Sequence, residues 1–587
     1  MSFIKTNRQV IILLILGIVF LFIYSWFSFV TTQDGKARFA SPDGVANYFW
    51  AERYAEGEKL FYFEPLNVIA NDIVVPRSVR SDNGVVKPVS FLGIILIYGF
   101  LGKIFGSWII IYLTPFFAVI GVLFFYGIIK KIFDEKTAFI SALMLFCLAS
   151  YWYYASRSMF HNVLFIDLLL AGVYFVINSA RIKQVKKINT NFIFIFFAGI
   201  FIGLAIITRT SELIWLLPVI LLAWIVYFKQ LHWNKSILFV CGIFLALIPM
   251  FYYNQILYGD FLKFGYSKID TVKAQNEVVI SNVDINNGGG MVGFTEIMRK
   301  FLPSDINIKQ AGKSFIYYYV IMFWYLFWPA FFGGVYFLWH YKKRSKEQQL
   351  YFISFIVISV VLVLYYGSWI INDNPNKLSV TIGNSYTRYF LPMYIMSIPL
   401  AVLFFTQIPS WLTKKIKSMG IQFPLRELDS LTAIFVIVFF MLNFQAIMLA
   451  KEEGLIVIKN NLIKDSALVE KMFAPVELEA VIISERFDKF LWPSYAKASE
   501  DKPRKVITGN FTNKEHNAEY AKLAEYGVPL YYFGFIFPKV DMEYLNNKRL
   551  KEFGLKIEAV ELDEVSGLGL YKLVHKVESL PAGRQCP

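Results

Sequence analysis

Apolar runs of about twenty residues recur along the chain, separated by short polar connectors that are mostly basic. A helix needs about 20 such residues to cross a hydrocarbon core roughly 30 Å thick, so the pattern predicts a polytopic helical membrane protein. The runs lie near residues 9–30, 89–105, 108–129, 137–156, 159–180, 191–208, 212–228, 236–257, 313–338, 349–370, 388–408 and 431–450. If every run spanned, Lys130 and Lys131 and the patches Arg181–Lys187, Lys342–Lys346 and Lys414–Lys417 would all face outward, against the cytoplasmic bias of Lys and Arg. Treating one early run as a non-span removes every conflict. Val89–Phe105 begins at Lys87-Pro88, is short, and carries Gly93, Gly99, Gly102 and Lys103. It is expected to be an interfacial or re-entrant helix packed against protein. Eleven spans remain, with the N-terminus cytoplasmic behind Lys5 and Arg8 and the chain after Ala450 outside. The first run is too long for a signal-peptide core and lacks a small-residue cleavage site, so it reads as a retained anchor.

Two segments break the pattern. The polar loop Thr31–Lys87 contains SPDGVANYFWAERYAEGEKL and ends in NGVVKPVSF. It is far longer than the roughly 4–6 residues of an ordinary connection, and a long loop on a rigid scaffold is where chemistry is expected. Residues 451–587 alternate short apolar runs (AVIIS, KVITG, VPLYYFGF) with helix-like stretches, which predicts a small extracytoplasmic α/β domain. Within it, SYAKASEDKPRK reads as a charged surface insertion and ESLPAGRQCP as a disordered tail. The expected organisation is a transmembrane domain over 1–450 and the α/β domain over 451–587.

Composition agrees: of 587 residues, 57% are hydrophobic and only 17% charged, with a mean hydropathy of +0.51. The formal charge of +15 is spread over inter-span patches, which encode orientation and not a nucleic-acid footprint. Of three cysteines, Cys147 and Cys241 lie in apolar runs and Cys586 in the tail, giving neither a disulfide framework nor metal spacing.

The polar residues at the expected outer ends of the spans are the candidate chemistry. Asp43 opens the helix-like run Val45–Glu56; it, or Ser41, could cap that helix, or it could act as general base on an acceptor hydroxyl. Lys87 is either a snorkelling anchor or a cation for a lipid phosphate. Arg157, His161, Asn162 and Asp167 gather at one corner, where Asp167 needs a partner inside the membrane. His161 has no second ligand nearby in sequence, so no metal is expected. Arg209 and Glu212 form a tight corner, either an ion pair between spans or a cation at a cavity mouth. Tyr386 and Arg388 sit where a loop re-enters, the Tyr as belt residue or the Arg as bidentate phosphate ligand.

The ordered set SPDGVANYF, KPVSFLGIILIYGFLGKIFG, KKIFDEK, ASRSMFHN, GLAIITRTS, YYNQILYGDFLKFGY and SYTRYFLP resembles the GT-C class of integral-membrane glycosyltransferases over most of residues 10–410. The likeness is to the protein O-mannosyltransferase and lipid A aminoarabinose transferase branch. It implies sugar transfer from a polyprenyl-phosphate donor to a protein, lipid or glycan acceptor, inverting, at a cell membrane and without a cofactor. It carries over Asp43 as base, Lys87 as phosphate ligand, and Arg157, Arg209 and Arg388 as further phosphate ligands, with Asn162 and Tyr386 beside them. Members often have Asp-Glu at the first-loop motif; here Gly44 follows Asp43, so a second carboxylate would have to be Glu52 or another acid. Two other classes stay open: a transporter or flippase for a lipid-linked or anionic solute, and a non-catalytic relative.

Overall fold

The computed structural model describes residues 8–32, 37–181, 188–227, 233–266, 306–374, 376, 379–418, 426–477, 479–492 and 504–575. The basic residues 182–187, most of the expected loop 258–313, residues 494–503 of the expected insertion 494–505, the tail and Cys586 lie outside these, while Lys505 of that insertion is the first residue of a strand. The described chain is mostly helical and packs as two units. One holds Met1–Phe29, Ile111–Tyr252 and Val272–Lys459; the other holds Val30–Ile110, Tyr253–Thr271 and Asn460–Pro587.

The first unit is the membrane part. Among the described residues seven helices are long and apolar enough to cross a bilayer, or nine if two bent pairs each count as one span. With Phe192–Thr208 and Leu391–Gln407 added, all eleven expected positions carry apolar helices. Two of those spans are not straight. Glu135–Cys147 and Ala149–Arg157 meet at 51° because Leu148 between them is extended. Ile308–Ile321 and Trp324–Trp339 meet at 99°, beyond a π-helical turn at Ile316–Ile321, so the expected span 313–338 is sharply broken. Wide helical turns of this kind are an identifiable cause of kinks.

The second unit begins with helix Pro42–Ala55, close to the expected one. Helix Leu92–Phe105 packs on it and has 14 residues, about 21 Å at 1.5 Å per residue, too short to span. The close approach depends on Gly99, where a Cβ would come within 2.8 Å of the Ala51 carbonyl oxygen and 2.7 Å of Tyr54. Three short strands, Tyr62–Phe63 (β1), Val79–Asp82 (β2) and Val85–Pro88 (β3), form an antiparallel sheet in the order β1-β3-β2. Asn83 (φ 51°) and Gly84 (φ 82°) are both left-handed, the two-residue turn that matches strand twist.

A five-stranded mixed sheet completes the unit: Val481–Ser484 (β4), Lys505–Thr508 (β5), Leu530–Phe535 (β6), Leu555–Asp563 (β7) and Leu568–His575 (β8), in the order β5-β4-β6-β8-β7. β4 runs parallel to β5 and β6, while β8 is antiparallel to β6 and β7. The apolar runs AVIIS, KVITG and VPLYYFGF fall on β4, β5 and β6. Their core is not made by these residues alone. Ala70 and Val74 of the first loop are buried with Val481, Ile483, Ile507, Tyr520, Leu530 and Leu573, and Leu66 and Ile73 pack against them. The packing division therefore differs from the expected one at residue 450: the first loop and the C-terminal sheet share one apolar core.

That sharing has a stability consequence. Val74→Asp places a carboxylate in the common core and should cost about 4 kcal/mol, a large part of a domain's stability. Limited proteolysis of the purified protein should then cut within 504–575 much faster than in wild type, while Val74→Ile stays protected. Equal protection of both would show that the loop is not part of this core.

Candidate functional site

Asp43 lies in the first turn of helix Pro42–Ala55. The capping role belongs to Ser41, whose Oγ accepts from the Gly44 N–H at 3.0 Å. The half-buried Asp43 carboxylate instead accepts from Ser78 Oγ at 2.6 Å. Ser78 stands at φ 63°, a left-handed conformation that a serine rarely adopts. The helix bearing Asp43 is also pinned by Ser90 Oγ, which donates to Asn47 Oδ1 at 2.7 Å, and by Trp50, which is fully buried. Glu52, the named substitute for a second carboxylate, accepts from Tyr48 Oη at 2.8 Å on the same helix.

Lys87 is on β3, directly across from Arg80 on β2. Like charges facing each other across a ladder repel, and Asp82 resolves this by taking both. Its Oδ2 is 2.8 Å from Arg80 Nη2 and 2.8 Å from Lys87 Nζ. Lys87 Nζ also donates to the Leu257 carbonyl at 2.5 Å and lies 5.7 Å from the Tyr258 ring centre. It is thus buried and not a snorkelling anchor. Two cations share one carboxylate, so the cluster keeps one positive charge. Arg80 was not foreseen, although Asp82-Asn83-Gly84 is a hairpin signal that places it opposite Lys87.

The remaining candidates belong to the membrane unit. Arg157, at the end of helix Ala149–Arg157, donates to Tyr153 Oη at 3.0 Å, with its guanidinium 5.2 Å from the Phe160 ring centre. Arg388 lies 5.1 Å from the same ring and donates to Ser385 Oγ at 2.9 Å. Phe160 thus brings together two guanidinium groups that lie far apart in sequence. Between Arg157 and Phe160, Ser158 and Met159 are both left-handed (φ 54°), and Met159 N–H reaches Thr114 Oγ1 at 3.3 Å. Strain of this sort, about 1–3 kcal/mol per residue, persists only where the surroundings enforce it. Asn162 donates to the Arg388 carbonyl at 3.1 Å and so holds the turn that presents this arginine.

Tyr386 is buried and not in an aromatic belt: its hydroxyl donates to the Trp369 carbonyl and accepts from Gln310 at 3.2 Å. Arg209 is paired with Glu212 at 2.5 Å and donates to Tyr366 Oη at 3.1 Å, with Trp215 on the other Glu212 oxygen. Asp167 accepts from Tyr151 Oη at 2.6 Å, a pairing between neighbouring helices. One acid was missed. Glu453, beyond the last span, accepts from Thr381, and burial pushes its carboxyl above the usual carboxylate range while Thr381 and Arg157 pull it down. No sequence signal marks it, because it stands among ordinary polar residues. Among the described residues no three His, Cys, Asp or Glu side chains gather as a metal site.

Residues 88–253 match the family described as dolichyl-phosphate-mannose-protein mannosyltransferase. By sequence, no curated protein matches the chain. By structure, it is similar to ArnT from Cupriavidus metallidurans bound to undecaprenyl phosphate, at 11% identity and TM-score 0.50, covering 99% of this chain and 100% of that one. It is also similar to the oligosaccharyltransferase of Archaeoglobus fulgidus tethered to an acceptor peptide, at 11% identity and TM-score 0.52, covering 99% and 76%. The AglB oligosaccharyltransferase of the same organism, with an inhibitory peptide and a dolichol-phosphate, gives 11% and 0.53, covering 99% and 75%. The structural likeness shows the fold, that of GT-C membrane glycosyltransferases, and the family match over residues 88–253 indicates a glycosyltransferase.

Proposed function

We propose that the chain transfers a sugar from a polyprenyl-phosphate donor to an acceptor hydroxyl on the extracytoplasmic side of the membrane, inverting the anomeric centre, with Asp43 as general base. The observation that carries this is the Asp43 carboxylate: it is relieved of capping by Ser41 and aimed by Ser78 instead. Support for the donor class comes from the relatives, one bound to undecaprenyl phosphate and another to dolichol-phosphate.

In this reading Asp43 takes the proton of the acceptor hydroxyl as that oxygen attacks the anomeric carbon; the bond to the donor phosphate breaks and the lipid phosphate leaves. An aspartate with an ordinary pKa of about 4 is a weak base, so placement must supply much of the rate. The leaving phosphate gains charge, which fixed cations in a partly dry site stabilise. Lys87 is the first candidate, since the net charge of its cluster with Arg80 and Asp82 is positive. Arg157 and Arg388 are further candidates, because two guanidinium groups on one ring suit a phosphate better than they suit each other. Arg209 contributes less in this reading, being committed to Glu212.

Losing the base and losing the cation should look different. Asp43→Asn should lower sugar transfer by about three orders of magnitude, within the range for general-base loss, with donor affinity nearly unchanged. Release of sugar from polyprenyl-phosphate mannose at the wild-type rate by this variant would move the base elsewhere. Lys87→Ala should raise the donor KM about tenfold, the loss of one charge-assisted hydrogen bond, and should leave Asp82 paired with Arg80. An unchanged KM would remove Lys87 from donor binding.

A further inference from the structure

Open α/β sheets leave a crevice beyond the carboxyl ends of their parallel strands, where ligands commonly bind. Here the chain fills that place itself. Residues Val75–Ser78 of the first loop lie against the ends of β4 and β5: the Thr508 N–H donates to the Val75 carbonyl at 3.2 Å. Asp488, just after β4, is wholly buried and receives four donors. These are the Arg77 backbone N–H at 2.9 Å, Arg77 Nε at 3.0 Å, Arg77 Nη2 at 2.5 Å and Thr508 Oγ1 at 3.1 Å. Gripping both the main chain and the side chain of one residue fixes where the next residue starts. That residue is Ser78, the donor to Asp43. Lys489, beside Asp488, donates to the Ala40 carbonyl at 2.8 Å and so holds the chain three residues before Asp43.

Ser78 is the telling position. The other left-handed non-glycine residues of this loop are Asn71, Asp72 and Asn83, types that tolerate the conformation, and Ser78 does not share that tolerance. Its conformation is imposed by the anchored residue before it.

We propose that the C-terminal sheet domain sets the position of the Asp43 carboxylate through Asp488, Arg77 and Ser78, making these three positioning residues for the transfer. The inference rests on the reading of Asp43 as base. It gives the C-terminal domain a role in catalysis that does not depend on acceptor binding.

The test is a double-mutant cycle on the full chain, with polyprenyl-phosphate mannose as donor. Ser78→Gly deletes the hydroxyl while keeping a residue at ease with φ 63°. It should lower kcat about tenfold, the worth of one hydrogen bond to a charged group, with the donor KM unchanged. Asp488→Asn should lower kcat similarly alone and add little in the Ser78→Gly background, because both act on one carboxylate. A purely structural Asp488 would instead multiply its loss in full, and that result overturns the proposal. So does wild-type kcat in Ser78→Gly while Asp43→Asn is inactive; wild-type activity in Asp43→Asn would instead overturn the base assignment. A second measurement needs no turnover. Thermal melts of Asp43→Ala, Ser78→Gly and their double variant should be non-additive, and Asp488→Asn should abolish that coupling. Strict additivity overturns the proposal even where the donor is not used.

Discussion

A carboxylate cannot be taken out of water unless its charge is met, and Asp488 is taken out of water entirely. The groups that meet it come from residues 77 and 508, so burying one acid ties the first loop to the C-terminal sheet. The apolar core repeats the tie with Ala70 and Val74 beside strands that come some 400 residues later. A charge pair whose arginine is 40% exposed gives geometry more than it gives stability, whereas the apolar contacts give stability without direction. Together they make a long polar loop rigid enough to carry an aimed side chain.

The membrane unit solves a different problem. Its polar residues lie at the ends of apolar helices, where each must find a partner or a ligand. Arg209 and Asp167 find partners, in Glu212 and Tyr151. Arg157 and Arg388 both approach the Phe160 ring, and each also donates to a neutral hydroxyl, of Tyr153 and Ser385 respectively.

Much of the scaffold was legible because lipid imposes a length and a composition on every span, and no later contact can revise either. The short helix Leu92–Phe105 was legible for the same reason: its glycines and its lysine fit a packed helix better than a spanning one. The bend of 99° after Ile321 was not legible, since the stretch Ile316–Ile321 (IYYYVI) carries neither the Pro nor the Gly that would mark a break. At the candidate site Asp43 and Lys87 stood out by type and place. The partners that define them did not. Ser78 is an ordinary serine until Arg77 is fixed by an acid 411 residues away, and periodicity does not reach that far. The hairpin at Asn83-Gly84 was within reach of sequence reasoning, and with it Arg80.

The shared core also orders events in time. The loop carrying Asp43 is made some 400 residues before the strands that bury Val74 and the acid that grips Arg77. At about 5–20 residues per second, the loop waits roughly 20–80 seconds for its other half. During that interval its apolar residues have no native partner. A ribosome that stops before β4 would leave a membrane-inserted chain whose first loop lacks the sheet it packs against, so the loop takes its packed form only after β4 and β5 are made.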